Sequence, residues 1–305
     1  MTYRRCRYAV AIGVSALIFA TAGWAVASPP GEWGGVSLLV WQNHPTYALL
    51  VLALLLLVAA TLCTFLVHPD SPHMGMYCAL LGLGALSIRG GTVHILNVYA
   101  QETQTAVRIA RELALECAVW TALLLLMDAY ARALHDWFFT NTHWITRSRP
   151  DAGTALLRKS RLGYGVGVSL VVSRTLGTEK IKGWLAIPLA ILWSSAIAML
   201  LLFLFMQSQA KGQVFMACFV AFLVSTLCAY LAFPRVPILA FLLAVPVTAI
   251  AGYLWSAHGV APYPGKAAFF AARALPIDYF AFGVPGEILG FYWALQWSLH
   301  SSLEE

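Results

Sequence analysis

Apolar and polar positions alternate along this chain in long blocks: uncharged apolar runs, each about the length of a bilayer crossing, are separated by polar connections. A helix rises 1.5 Å per residue, so about 20 apolar residues cross a hydrocarbon core of about 30 Å. That measure predicts spans over 8–27, 46–67, 76–97, 113–130, 184–206, 214–233, 236–255 and 277–299. The expected fold is all-α, a polytopic integral membrane helix bundle of seven or eight transmembrane helices. It forms one domain over 1–305, with a basic segment at 131–183.

The first and last runs leave the number open. Arg4, Arg5 and Arg7 precede the uncharged stretch from Tyr8 to Ala27. Ala25-Val26-Ala27 has the small-residue spacing of a signal-peptide cleavage site, yet the stretch is also long enough to span. Signal h-regions are nearer 7–15 residues, which favours a retained helix. On either reading the residues after Ala27 lie across the membrane. The last run is the least apolar, holding Gly283, Pro285, Gly286, Glu287 and Gly290. Between them, 214–233 and 236–255 are separated by Pro234-Arg235, which predicts an antiparallel hairpin.

Composition sharpens the class. Sixty per cent of residues are hydrophobic and 10% charged, against roughly 25% charged in soluble domains. Too few charges remain to coat a water-facing surface. The net charge of +6 changes the picture only through its placement. Nine of the 19 Lys and Arg residues fall in 131–183. With the N-terminus cytoplasmic, eight crossings put thirteen basic residues inside and five outside, with Arg89 in the membrane. That asymmetry follows the positive-inside rule and places the N-terminus and 131–183 on the cytoplasmic side of a membrane whose identity stays open. Within 131–183, the apolar stretch from Leu162 to Val172 is too short to span and reads as an interfacial helix or a re-entrant piece. The expected partners are membrane lipids and other membrane proteins. No basic patch with interleaved aromatics points to nucleic acid.

Motifs for chemistry are sparse. Cys6, Cys63, Cys78, Cys117, Cys218 and Cys228 show no C-x-x-C spacing, so neither a zinc site nor a disulfide framework is expected. There is no H-E-x-x-H and no G-x-S-x-G. No catalytic residue, metal or cofactor is assigned on these grounds.

Interest falls on polar groups at membrane depth. Arg89 would lie about 20 Å into a helix starting near Met76, where a lone guanidinium costs at least ~2.5 kcal/mol. Arg108, Glu112 and Glu116 share one stripe of the next helix at i, i+4, i+8. Arg89, Glu112 and Glu116 are therefore the candidate buried polar centre, with an Arg89–Glu116 ion pair at its heart. Its simplest role is to fix helix register; the alternative is to handle a substrate or ion. His94 and Glu287 are weaker candidates, Glu287 as a membrane-depth proton carrier. Gly84, Ser87 and Gly91 form a small-residue face opposite Arg89, which predicts a central third span, and Gly286-x-x-x-Gly290 predicts close helix packing. Asp128, Arg132 and Asp136 read as a solvated stripe. His135 and His143 flank that stripe, and His68, Asp70 and His73 read as a plain turn.

The leading functional reading is a non-enzymatic scaffold or subunit of a larger membrane assembly. The second is a small-solute or ion permease centred on Arg89, Glu112 and Glu116. The third is an interfacial lipid-modifying enzyme using His94, Glu102 and His258.

Overall fold

The computed structural model describes residues 2–29, 35–40, 42, 44–67, 72–90, 103–135, 137, 183–208, 210–234, 236–259 and 273–301. Among them the chain forms eight helical rods and no strand. Helix α1 runs through Thr2–Ile18, a π turn at Phe19–Gly23 and Trp24–Ala27. Then come α2 (Pro45–Val67), α3 (Pro72–Arg89), α4 (Thr103–His135), α5 (Gly183–Phe205) and α6 (Lys211–Ala232). The seventh, α7, comprises Ile238–Leu242 and Ala244–Gly259; α8 comprises Pro276–Asp278, a π turn at Tyr279–Gly283 and Val284–Ser301.

Local chemistry sets the ends and irregularities of these rods. Helices α2, α3 and α8 each begin on a proline, whose fixed φ and missing N–H suit the first helical position. Pro246 cannot donate to the Leu242 carbonyl and crowds it, and α7 is interrupted at Leu243, just where that clash falls. Pro285 follows the π turn of α8, which absorbs the same conflict with one widened turn.

Six rods are long and apolar enough to cross a membrane: the stretches Cys6–Ala27, Pro45–Val67, Val107–Leu134, Leu185–Phe205, Lys211–Ala232 and Ile238–His258. Runs this apolar on every side belong in hydrocarbon, and they mark an integral membrane protein. Helices α3 and α8 fall short of that measure, diluted by His73, Ser87 and Arg89 in one and Pro285 and Glu287 in the other.

Helix α3 lies against α1, α2, α4 and α8, the central position expected of it. Glycines bring its neighbours close. A Cβ on Gly82 would stand 2.1 Å from Ser15 Oγ of α1, and one on Gly75 2.8 Å from the Thr64 backbone of α2. Helix α8 packs most extensively on α6, as Gly286 and Gly290 predict: Cβ atoms there would meet the Phe219 and Leu223 carbonyl oxygens at 2.4 and 2.3 Å.

Three expectations need correction. The helix of the third span starts earlier than expected, at Pro72, and ends at Arg89 with a bend at Gly90; the remainder of the expected span, 91–97, lies outside the described residues. The fourth is longer than 113–130, since the Arg108–Glu112 pair supports extra helical turns at its start. Finally, α6 and α7 do not pair as a hairpin: α7 packs chiefly on α4 and α5. The segment 138–182, and with it nearly all of the expected basic segment, lies outside the described residues.

Candidate functional site

Among the described residues, four carboxylates are buried in the bundle: Glu116, Asp128, Asp278 and Glu287. A buried charge is costly unless hydrogen-bonded or paired, so each partner set shows what the group does.

Glu116 on α4 is 1% exposed. Its Oε2 accepts from Ser37 Oγ at 2.5 Å, Leu38 N at 3.0 Å and Leu39 N at 3.3 Å. Trp120 Nε1, one turn along α4, donates to the other oxygen at 3.3 Å. The segment Val36–Leu38 is thereby drawn into the bundle, fully buried. A Cβ on Gly90 would stand 2.8 Å from Val36 Cγ2, so the same segment also rests against the end of α3.

Arg89 has different company. It is the last residue of α3 and exposed, and its Nη1 donates to the Ala20 carbonyl of α1 at 2.6 Å. Its guanidinium lies 4.7 Å from the centroid of the Trp24 ring, a cation–π contact. The π turn prepares this acceptor: the Trp24 amide bonds to the Phe19 and Thr21 carbonyls and passes over Ala20. Glu112 pairs at 2.8 Å with Arg108 on its own helix, a largely solvent-facing contact. The expected centre of Arg89, Glu112 and Glu116 is therefore not assembled. Its three members have three separate sets of partners, because Arg89 caps the end of its helix instead of lying midway along it.

The polar group that joins three helices was not singled out from sequence. Asp278, at the start of α8 and fully buried, accepts from Lys211 Nζ of α6 at 3.1 Å, from Ser87 Oγ of α3 and from Leu275 N at 2.8 Å. Lys211 also stands 5.5 Å from the Phe215 ring centroid. Two signals pointed there. Pro276 and Asp278 make a helix start, and Lys211 opens α6 where the helix dipole disfavours a cation. A lysine in that position calls for an anion from elsewhere in the fold.

At the opposite end, Asp128 of α4 is 1% exposed. It meets His73 Nε2 of α3 at 3.2 Å and the Arg132 guanidinium one turn along α4. Tyr292 Oη of α8 lies 3.5 Å from His73 Nδ1. Asp128 is thus an interhelical tie and not part of a solvated stripe, and His73 belongs to that tie and not to a plain turn. Among the described residues, no group of three or more His, Cys, Asp and Glu side chains could hold a metal ion.

Glu287 stands apart. It is fully buried on α8, and neither carboxylate oxygen has a hydrogen-bond partner. The hydroxyls of Thr226 on α6 and Thr248 on α7 are likewise buried without partners. His258 is exposed and its Nδ1 contacts the Leu254 carbonyl of its own helix at 2.8 Å. His94 and Glu102 lie outside the described residues, as do His68, Asp70 and His143.

These features define an all-helical integral membrane bundle tied at both ends by buried carboxylates. Comparison with protein-family models, with curated proteins and with solved structures finds no match to this chain.

Proposed function

We propose that the protein is a non-enzymatic scaffold, a subunit of a larger membrane assembly. One observation carries this reading: three of the four buried carboxylates are fully engaged in joining segments. Glu116 holds the 35–40 segment to α4, Asp278 joins α8 to α3 and α6, and Asp128 joins α4 to α3. Polar groups used this way stiffen a bundle and leave no reactive group exposed on them. The outward sides of α1 and α5 are the least covered by the rest of the chain and supply apolar surface for lipid or a neighbouring subunit. In this reading α3 and α8 also cross, since α3 packs on α1, α2 and α4, and α8 packs on α6 and α7. The N-terminus and 131–183 then lie on the cytoplasmic side, as the positive-inside bias suggests.

A photo-crosslinking residue at Leu200, exposed on α5, tests the assembly. The expected result is one discrete protein adduct of fixed stoichiometry, formed in native membranes and matched in mass by the intact complex. Adducts to lipid alone, from this position and from Leu17 on α1, would overturn it.

The permease reading loses its Arg89, Glu112 and Glu116 centre, whose members are not brought together. One observation still favours it, the unpartnered carboxyl of Glu287.

A further inference from the structure

Glu287 is a side chain that the scaffold reading does not use. It lies roughly 16 Å along α8 from Pro276, at 1.5 Å per residue, well inside the bundle from either end. Its helix is pressed on α6 through Gly286 and Gly290, whose Cβ positions coincide with α6 backbone. One turn before it, Gly283 faces the Phe222 ring and Val245. One turn after it, Phe291 lies among the rings of Tyr230, Phe241 and Tyr292. The surroundings are apolar and aromatic.

Several charged and titratable groups on the elements around α8 have partners away from Glu287. On α6, Lys211 is with Asp278, and Tyr230 packs edge-on to Phe291. On α3, His73 is with Asp128 and Tyr292, while Arg89 is at the far end with Ala20. On α7, Tyr253 donates to the Ala274 carbonyl. On α4, Glu116 holds the 35–40 segment. No cation is bonded to either Glu287 oxygen.

An ionised carboxylate with no donor and no counter-ion is the least tolerable group in such a place. A metal ion would need several ligands, and among the described residues no group of three or more His, Cys, Asp and Glu side chains could hold one. A proton needs none, because it bonds covalently to the carboxylate. The helix is also irregular here. The π turn at Tyr279–Gly283 and the missing amide of Pro285 interrupt the backbone ladder immediately before Glu287, and widened turns of this kind concentrate at functional sites.

We propose that Glu287 is a proton-binding site at the middle of the bundle, holding a proton in the packed state and exchanging it with water when α8 moves. Packing alone does not call for such a group, since a leucine would fill the same space without an orphaned carboxyl.

Infrared difference spectroscopy on the full-length protein in lipid at pH 7 tests this directly. The expected result is a carbonyl stretch of a protonated carboxyl, absent in Glu287→Gln, that shifts on overnight incubation in heavy water. A band that fails to shift marks a sealed structural proton and overturns the exchange. The absence of any Glu287-dependent band overturns the site. Because Glu287→Gln could misfold, a second measurement uses the unaltered chain. Dicyclohexylcarbodiimide adds across a protonated carboxyl, the proton passing to nitrogen, and the adduct rearranges to a stable N-acylurea. The adduct is expected on the Glu287 peptide by mass spectrometry. No adduct there, or protection by sodium at constant pH, would overturn the proton assignment, the latter in favour of a metal cation. Either result leaves the Leu200 crosslinking outcome unaffected, so the two readings fail independently.

Discussion

Arg89 Nη1 reaches across from the last turn of α3 to the Ala20 carbonyl of α1, 2.6 Å away, at the one point where α1 widens into a π turn. The guanidinium closes two helix irregularities at once, the end of α3 and the displaced carbonyl of α1. Arg89→Ala should therefore lower stability by about 1 kcal/mol, the scale of an exposed charge-assisted bond and a cation–π contact. The thermal unfolding midpoint in detergent measures this. Combining Arg89→Glu with Glu116→Arg should be no better than the sum of the singles; recovery of the midpoint would show that the two side chains meet.

Removal of the Glu116 side chain should release the buried segment at 35–40. Glu116→Ala orphans the Ser37 hydroxyl and the Leu38 and Leu39 amides, and buried unsatisfied groups cost roughly 1–3 kcal/mol each. Water entering the released segment limits the total to about 3 kcal/mol. Hydrogen exchange gives the decisive reading, since the Leu38 and Leu39 amides should lose protection while the core of α2 keeps it. Unchanged protection at Leu38 would remove Glu116 from this role.

The Lys211–Asp278 pair should behave as a unit. Lys211→Met leaves the Asp278 carboxylate buried beside Ser87 without its cation, a loss on the order of 3–5 kcal/mol. Adding Asp278→Asn removes the stranded charge, so the double variant should be more stable than Lys211→Met alone. A double-mutant cycle on unfolding in detergent measures the coupling; simple additivity would show that the 3.1 Å contact contributes nothing.

These ties explain which parts of the architecture were legible in the linear chain. The apolar runs gave most helices to within a few residues, because a bilayer demands about 20 such residues whatever their neighbours. Arg89 was misplaced for a local reason that was itself readable. A basic residue followed by Gly90-Gly91 is a helix C-terminus signal, but the apolar stretch continuing toward Asn97 outweighed it. The partner of Glu116 was not readable, because 35–40 has no periodicity and docks through one serine hydroxyl and two backbone amides of a kind every sequence possesses. Asp278 and Lys211 stand far apart in sequence, and only the unfavourable lysine at a helix start hinted that an anion must come to it. Glu287 was visible as a membrane-depth acid, whereas its lack of any partner is a property of the packed bundle alone.

Close approach of α8 and α6 yields a prediction in which two glycines respond with opposite sign. At Gly290 an added Cβ would lie 2.3 Å from the Leu223 carbonyl oxygen. That atom belongs to a hydrogen-bonded helix and cannot rotate away as a side-chain tip can. Gly290→Ala must push the two rods apart along their shared length, so a loss of about 1–3 kcal/mol is expected. At Gly13 of α1 an added Cβ meets nothing within 4 Å, and alanine is better than glycine inside a helix by about 0.8–1.0 kcal/mol. Gly13→Ala should accordingly raise the unfolding midpoint while Gly290→Ala lowers it. Both variants add the same single methyl group, so general effects of the substitution cancel. If Gly290→Ala were as well tolerated as Gly13→Ala, the backbones of α6 and α8 could not be in contact, and the close packing that seals Glu287 from water would be lost with them.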